Sequence, residues 1–121
     1  MLKRILVLDN NQLILDTIQE ALLYDKFEVK ITTDSKNIIE NIQSYKPHLV
    51  ILDYKNTGPK GDAICRQIKN NPHLNDTPVI MCSAYLNDND SDMELCGCDA
   101  IISKPFGLVE LLEKVNNLVY C

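Results

Sequence analysis

Long apolar runs are missing from this chain: none approaches the roughly 20 residues that a membrane-spanning helix needs. An excess of basic charge is missing too. Twelve Lys and Arg face 17 Asp and Glu, for a net charge of −5, which excludes a broad nucleic-acid footprint because phosphate binding needs a basic face. The five cysteines, at 65, 82, 96, 98 and 121, never take the paired CxxC spacing of a zinc site. Cys96-Gly97-Cys98 has no histidine beside it to complete a ligand set, so all five are read as reduced thiols. Only two histidines occur, His48 and His73, isolated from each other and from any ligand cluster; each reads as a surface or strand-edge residue. Linkers, repeats and low-complexity blocks are absent. The N-terminus "MLKRILVLDNN" carries a basic pair, but its apolar stretch is too short for a secretory signal and runs straight into Asp9. The expectation is a cytoplasmic protein.

What is present is the makeup of a globular domain. The chain has 121 residues, 45% hydrophobic and 24% charged, enough for one core. Apolar runs of strand length alternate with stretches of helical period, the pattern of βα units. Ile5 to Leu8, Leu49 to Leu52 and Val79 to Cys82 are continuous, as in parallel strands covered on both faces. Phe27, Val29 and Ile31 alternate with polar residues instead, which suits an edge strand. Ala100 to Ile102 is a short fifth run.

Between the strands, Ile14, Leu15, Ile18, Ala21 and Leu22 form one stripe of a helix that Asn11 is placed to cap. Ile38, Ile39, Ile42 and Tyr45 form another after Ser35. Ile64 and Ile68 mark a third, closed at Asn71-Pro72 because the residue before proline disfavours helical torsions. Leu108, Leu111, Leu112, Val115 and Leu118 mark the last and clearest. The slot at residues 86–96, "LNDNDSDMELC", is rich in Asn, Asp and Ser, whose side chains compete with helical hydrogen bonds. A short, frayed helix is expected there, with Asp88, Asp90, Asp92 and Glu94 giving it a negative face that disfavours a symmetric dimer and favours a basic partner.

Polar residues stand at the ends of the apolar runs: "ILVLD" ends in Asp9, "LVILD" in Asp53, "VIMCS" in Ser83 and "AIISK" in Lys104. In an open parallel sheet all strand C-termini share one edge, and ligands bind there. Topology therefore gathers two acids, a hydroxyl and an ammonium. Two carboxylates about 4 Å apart repel by roughly 4 kcal/mol at an effective dielectric of about 20, and magnesium, which favours one or two carboxylates with phosphate oxygens and water, would relieve that repulsion. Lysine and serine can hold phosphoryl oxygens. The constellation suits placing phosphate on a carboxylate. Any one of these residues alone could be a solvated turn acid, a helix cap or a surface charge; four at successive strand ends, with "KPF" after the last, argue for a site.

With "VLDNN" after the first strand, "LVILDYKNTGPKGD" around the third, "CSA" after the fourth and "GCDAIISKPF" around the fifth, the whole chain, residues 1–121, resembles the receiver domain of bacterial two-component response regulators. The resemblance implies a flavodoxin-like, doubly wound α/β fold: a five-stranded parallel sheet of order 2-1-3-4-5 with five helices on both faces. It implies that Asp53 accepts a phosphoryl group from a histidine kinase or phosphotransfer protein, that Lys104 contacts that group, and that Ser83 is the conformational hydroxyl. It implies a Mg2+ site formed by Asp9, Asp53 and the backbone carbonyl of Lys55, with Asn10 as a weak ligand, and a usually cis Lys104-Pro105 bond. Gly61, eight residues past Asp53, matches the glycine that opens the third helix. A downstream effector or output domain is the implied partner, with no direct nucleic-acid or membrane binding by this domain. It would not be an enzyme beyond catalysing its own phosphorylation and dephosphorylation.

Three positions depart from the family pattern. Asn10 replaces a second acid, which implies a weakened metal site. Ile101 replaces the Tyr or Phe whose rotation reports phosphorylation. Asn56-Thr57 replaces Met-Pro in the loop after the acceptor. An alternative reading follows from the first two: a pseudo-receiver that binds proteins independently of phosphorylation. Lys55 and Tyr85 can be read equally as solvated residues or as neighbours of the phosphoryl pocket. An aspartyl-phosphate phosphatase is disfavoured because Lys55 stands where its second acid would be, and a flavodoxin-like electron carrier because "LDNNQ" is not a phosphate loop.

Overall fold

The computed structural model describes residues 2–55, 60–83 and 97–120. Nine elements follow in chain order: β1 (Arg4–Leu8), α1 (Gln12–Tyr24), β2 (Glu28–Thr32), α2 (Ile38–Tyr45), β3 (Leu49–Asp53), α3 (Gly61–Asn70), β4 (Val79–Ser83), β5 (Ala100–Ser103) and α4 (Leu108–Val119). Five strands pair in parallel in the order β2-β1-β3-β4-β5. Among the described residues four helices cover this sheet, and none is long and apolar enough to cross a membrane. The expected frayed helix at 86–96, with its acids Asp88, Asp90, Asp92 and Glu94, lies outside the described residues. So do Tyr85, Asn56-Thr57, Cys96 and Cys121.

Side chains alternate across a strand with a period of two, so each continuous apolar run supplies both faces of the sheet. Leu6, Leu8, Val50, Leu52, Val79 and Met81 point to one face and pack with Ile38 and Ile42 of α2 and Ile64, Cys65 and Ile68 of α3. Ile5, Val7, Leu49, Ile51, Ile80 and Cys82 point to the other and pack with Leu15, Ile18 and Leu22 of α1 and Leu111 and Val115 of α4. Every residue of β3 and β4 is buried, whereas β2 is exposed to half-buried along its length. The half-polar alternation around Phe27, Val29 and Ile31 thus does mark an edge.

Helix boundaries follow local chemistry. The Asn11 side chain accepts hydrogen bonds from the amides of Leu13 and Ile14 at the start of α1, satisfying donors that the first turn leaves without partners. Ahead of α2, Asp34 organises the turn. Its carboxylate accepts from the amides of Lys36 and Asn37 and from the Asn37 side chain, while Ser35 is buried beside it. Asn71, before Pro72, takes extended torsions and ends α3.

Candidate functional site

Each apolar run stops where the sheet's C-terminal edge begins. Asp9 directly follows β1, Asp53 is the last residue of β3, Ser83 the last of β4, and Lys104 directly follows β5. Register makes them neighbours: Asp53 pairs with Cys82, and Ser83 pairs with Ser103. The Lys104 amide donates to the Ser83 carbonyl at 2.6 Å, which ties the end of β5 to the end of β4. From there the Lys104 side chain reaches across, and Nζ donates to Asp9 Oδ2 at 2.7 Å and to Asp53 Oδ1 at 3.2 Å. One ammonium bridges two carboxylates.

All of these groups are withdrawn from water. Asp9, Asp53 and Ser83 are 3%, 4% and 2% exposed. Burial, and then the charge of Asp9, push the Asp53 carboxyl above its ordinary range; the Lys104 ammonium and a hydrogen bond from the Lys55 amide partly offset this. Burial works to lower the Lys104 pKa, but the hydrogen bond to Asp9 and the two negative charges outweigh it and hold the ammonium protonated. Cys82, fully buried beside this edge, has its thiol pushed up to about 12 by burial and contributes volume rather than nucleophilicity.

The remaining positions complete the rim. Asp9 Oδ1 accepts the Asn11 amide at 2.9 Å, so the turn that carries Asn10 is folded onto Asp9. Asn10 and the Lys55 side chain are exposed. The Lys104-Pro105 bond is cis. Gly61 sits where no other residue fits: a Cβ there would lie 2.6 Å from the Asp53 carbonyl oxygen, 2.7 Å from Met81 Sδ and 2.9 Å from Tyr54 Cα. Its amide donates to the Tyr54 carbonyl, so α3 begins against the end of β3. Ile101 packs half-buried against the α2–α3 side of the core.

Neither histidine approaches this edge. His48 lies at the opposite end of the sheet, where its Nδ1 accepts the Arg4 amide at 2.9 Å and its own amide donates to the Arg4 carbonyl. The Arg4 guanidinium caps the carbonyls of Tyr45 and Lys46 at the end of α2. Sequence reading did not find this clasp, nor the Asp99 carboxylate that accepts both the Val79 amide and Lys69 Nζ at 2.8 Å. Such partners stand 20 to 44 residues apart, and no local pattern announces them.

A parallel sheet of this order with an acid-lined C-terminal edge defines the doubly wound class. The response regulator receiver domain model matches residues 5–116, and the chain belongs to that family, the receivers of two-component signalling. Response regulator MprA of Mycolicibacterium vanbaalenii is 27% identical over 117 residues, covering 96% of this chain and 50% of that protein. The chain spans about half the length of the curated relatives it matches. Among solved structures, a CheY-like receiver domain protein from Methanospirillum hungatei is 26% identical with a TM-score of 0.91, covering 99% of this chain and 95% of that one. Chemotaxis response regulator CheY4 of Vibrio cholerae shares the fold at 17% identity, with a TM-score of 0.90 and coverage of 98% and 99%.

Proposed function

We propose that this receiver works as a phosphorylation switch in the cytoplasm: Asp53 accepts a phosphoryl group from a histidine kinase or phosphotransfer protein, and the phosphorylated form alters binding to an effector or output domain. The observation that carries this reading is the bridge from Lys104 to Asp53 and Asp9. A buried carboxylate at a strand end, held beside an ammonium, is an oxygen nucleophile with a ready counter-charge for the incoming phosphoryl group. Attack by an Asp53 carboxylate oxygen on phosphorus forms the acyl phosphate, and the P–O or P–N bond to the donor breaks. Lys104 Nζ offsets the charge gained, and the Ser83 hydroxyl is placed on the same edge to take up a phosphoryl oxygen.

The donor set suits a hard cation. Asp9 and Asp53 offer carboxylate oxygens, Asn10 an amide oxygen and Lys55 a main-chain carbonyl, an all-oxygen set that fits Mg2+ with water completing the shell. Among the described residues no cluster of three or more His, Cys, Asp or Glu could hold a metal, so this set would supply two anionic ligands. When bound, Mg2+ would neutralise phosphoryl oxygens. The phosphorylation-independent module gains nothing from this geometry, since acceptor, lysine and hydroxyl all stand at one edge.

Intact-mass measurement after incubation with Mg2+ and acetyl phosphate tests the reading. One phosphoryl group should be gained and the gain should vanish in Asp53→Asn. Equal labelling of parent and variant overturns the acceptor assignment.

A further inference from the structure

A cavity opens at the end of the sheet opposite Asp53, where α2 leads into β3 and α3 leads into β4. It holds about 590 Å3, within the range of small-molecule pockets. Its floor is apolar: Ile42 and Leu74 line it, both buried and both part of the core beneath α2 and α3. Its polar lining comes from Gln43, Lys46, His73 and Thr77. Among the described residues none of these four side chains makes a hydrogen bond or an ion pair. No acid among the described residues lines the cavity either, since Asp76 of the same connection is not part of its wall. A chain of net charge −5 thus keeps one acid-free concavity that carries a lysine.

Both walls are fixed in place. Lys46 takes left-handed torsions, with φ 53°, a conformation that glycine or asparagine ordinarily supplies after a helix. Its amide donates to the Ile42 carbonyl at 2.9 Å, and its carbonyl accepts the Arg4 guanidinium at 3.0 and 2.7 Å. Arg4 therefore serves the carbonyl end of α2, which leaves the Lys46 ammonium uncommitted. On the other wall Asn71 accepts the amides of His73 and Leu74, the Thr77 amide donates to the Leu74 carbonyl, and the Thr77 carbonyl accepts Lys69 Nζ, each at 2.9 Å. A preformed concavity has little ordering cost to meet on binding.

We infer that this cavity binds an aromatic phosphate monoester, the chemistry of a nucleoside monophosphate. The apolar floor takes the flat ring. The phosphate, with three acceptor oxygens and nearly two negative charges, meets the Lys46 ammonium as a point charge and the neutral donors of Gln43, His73 and Thr77. A carboxylate would offer only two oxygens to those four donors. The site lies at the other edge of the sheet from Asp53, Ser83 and Lys104, so it and the phosphoacceptor reading stand or fall separately.

An amide-resolved NMR titration with adenosine monophosphate in metal-free buffer tests the inference. It is run on the parent, Lys46→Met, Thr77→Val and Lys26→Met, with folding of each variant verified by circular dichroism. Lys26 is the control, since it shares left-handed torsions, with φ 67°, but follows α1 and lies outside this cavity. In the parent, shifts should concentrate at Gln43, Lys46, His73, Leu74 and Thr77. Lys46→Met should weaken binding by about tenfold or more, the scale of one hydrogen bond to a charged group. Thr77→Val, which keeps the shape and removes the hydroxyl, should weaken it as well, and Lys26→Met should leave it unchanged. Adenosine and inorganic phosphate should each bind at least about tenfold more weakly than the monophosphate, because each lacks half of the contacts. Shifts that are absent at millimolar ligand, or centred on Asp53 and Lys104, overturn the inference. So does parent-like binding by Lys46→Met or Thr77→Val, a loss in Lys26→Met equal to that in Lys46→Met, or adenosine or phosphate alone binding as tightly as the monophosphate.

Discussion

At the scale of single residues, the legible part of the site was the part that interrupts a pattern. Asp9, Asp53, Ser83 and Lys104 stand out because each ends an apolar run, and the structure brings Asp9, Asp53 and Lys104 into direct contact. Arg4, His48 and Asp99 interrupt nothing and find their partners only in three dimensions. The charged groups at the two ends of the sheet give opposite pH dependences. Asp53, with its folded pKa raised chiefly by burial, binds more protons folded than unfolded between its ordinary pKa and the raised one, so stability falls as pH rises through that window. Asp53→Asn should therefore raise the melting temperature by a few degrees at pH 7, with the gain shrinking below about pH 4; a loss at pH 7 would contradict this sign. His48 behaves in the reverse sense. Burial, then the charges of Arg4 and Lys3, lower its folded pKa, so it contributes stability that is present above about pH 6.5 and lost as pH falls through the folded value. His48→Asn keeps an acceptor for the Arg4 amide and removes the titration. The melting temperature of that variant should vary less between pH 7 and pH 5 than the parent's, and an identical slope would show that the clasp does not titrate.

Elements meet one another through a few close approaches, and these were only half visible beforehand. The Asn11 cap and the stop at Asn71-Pro72 were legible because capping and proline geometry are local. The start of α2 was only partly so, because the Asp34 carboxylate, one residue before Ser35, organises that turn through the amides of Lys36 and Asn37. At α3, Gly61 lets a helix begin against the end of the strand that carries Asp53. Gly61→Ala should cost about 1–3 kcal/mol, as overpacking against atoms that cannot move aside does. It should also slow labelling of Asp53 by acetyl phosphate, since the Asp53 carbonyl is the nearest obstacle; an unchanged urea midpoint and unchanged labelling would refute the close approach. At the other end of the sheet, Asp99 links β4, β5 and α3 by accepting the Val79 amide and Lys69 Nζ. Asp99→Ala leaves a strand amide without that acceptor and should cost about 1–3 kcal/mol in urea unfolding. Asp99→Asn, which keeps an oxygen, should lose less; equal losses would show that the charge rather than the acceptor matters.

For the molecule as a whole, strand and helix periods were enough to give the βα alternation and the edge position of β2. The order 2-1-3-4-5 came with the family resemblance, since periodicity does not say which strands are adjacent. What the structure adds is the division of the core by the sheet into two apolar clusters, with Ile42 in one and Ile18 in the other. Ile42→Val and Ile18→Val should each cost about 1 kcal/mol, and the double variant should equal their total within about 0.5 kcal/mol. A larger discrepancy in urea unfolding would mean that the sheet transmits strain from face to face. The sheet order also bears on how the chain reaches its fold. Among the described residues no strand pairs through a tight hairpin; β1 sits between β2, with Arg4 opposite Glu28, and β3, with Ile5 opposite Leu49. Its first pairing closes a loop through α1, and its second closes a loop nearly twice as long. Loop closure on this scale slows folding relative to a helical bundle of the same size, and β1 takes part in the long-range pairing of Ile5 with Leu49. Destabilising β1 should therefore slow refolding, whereas equal damage to β5 at the far edge should chiefly hasten unfolding.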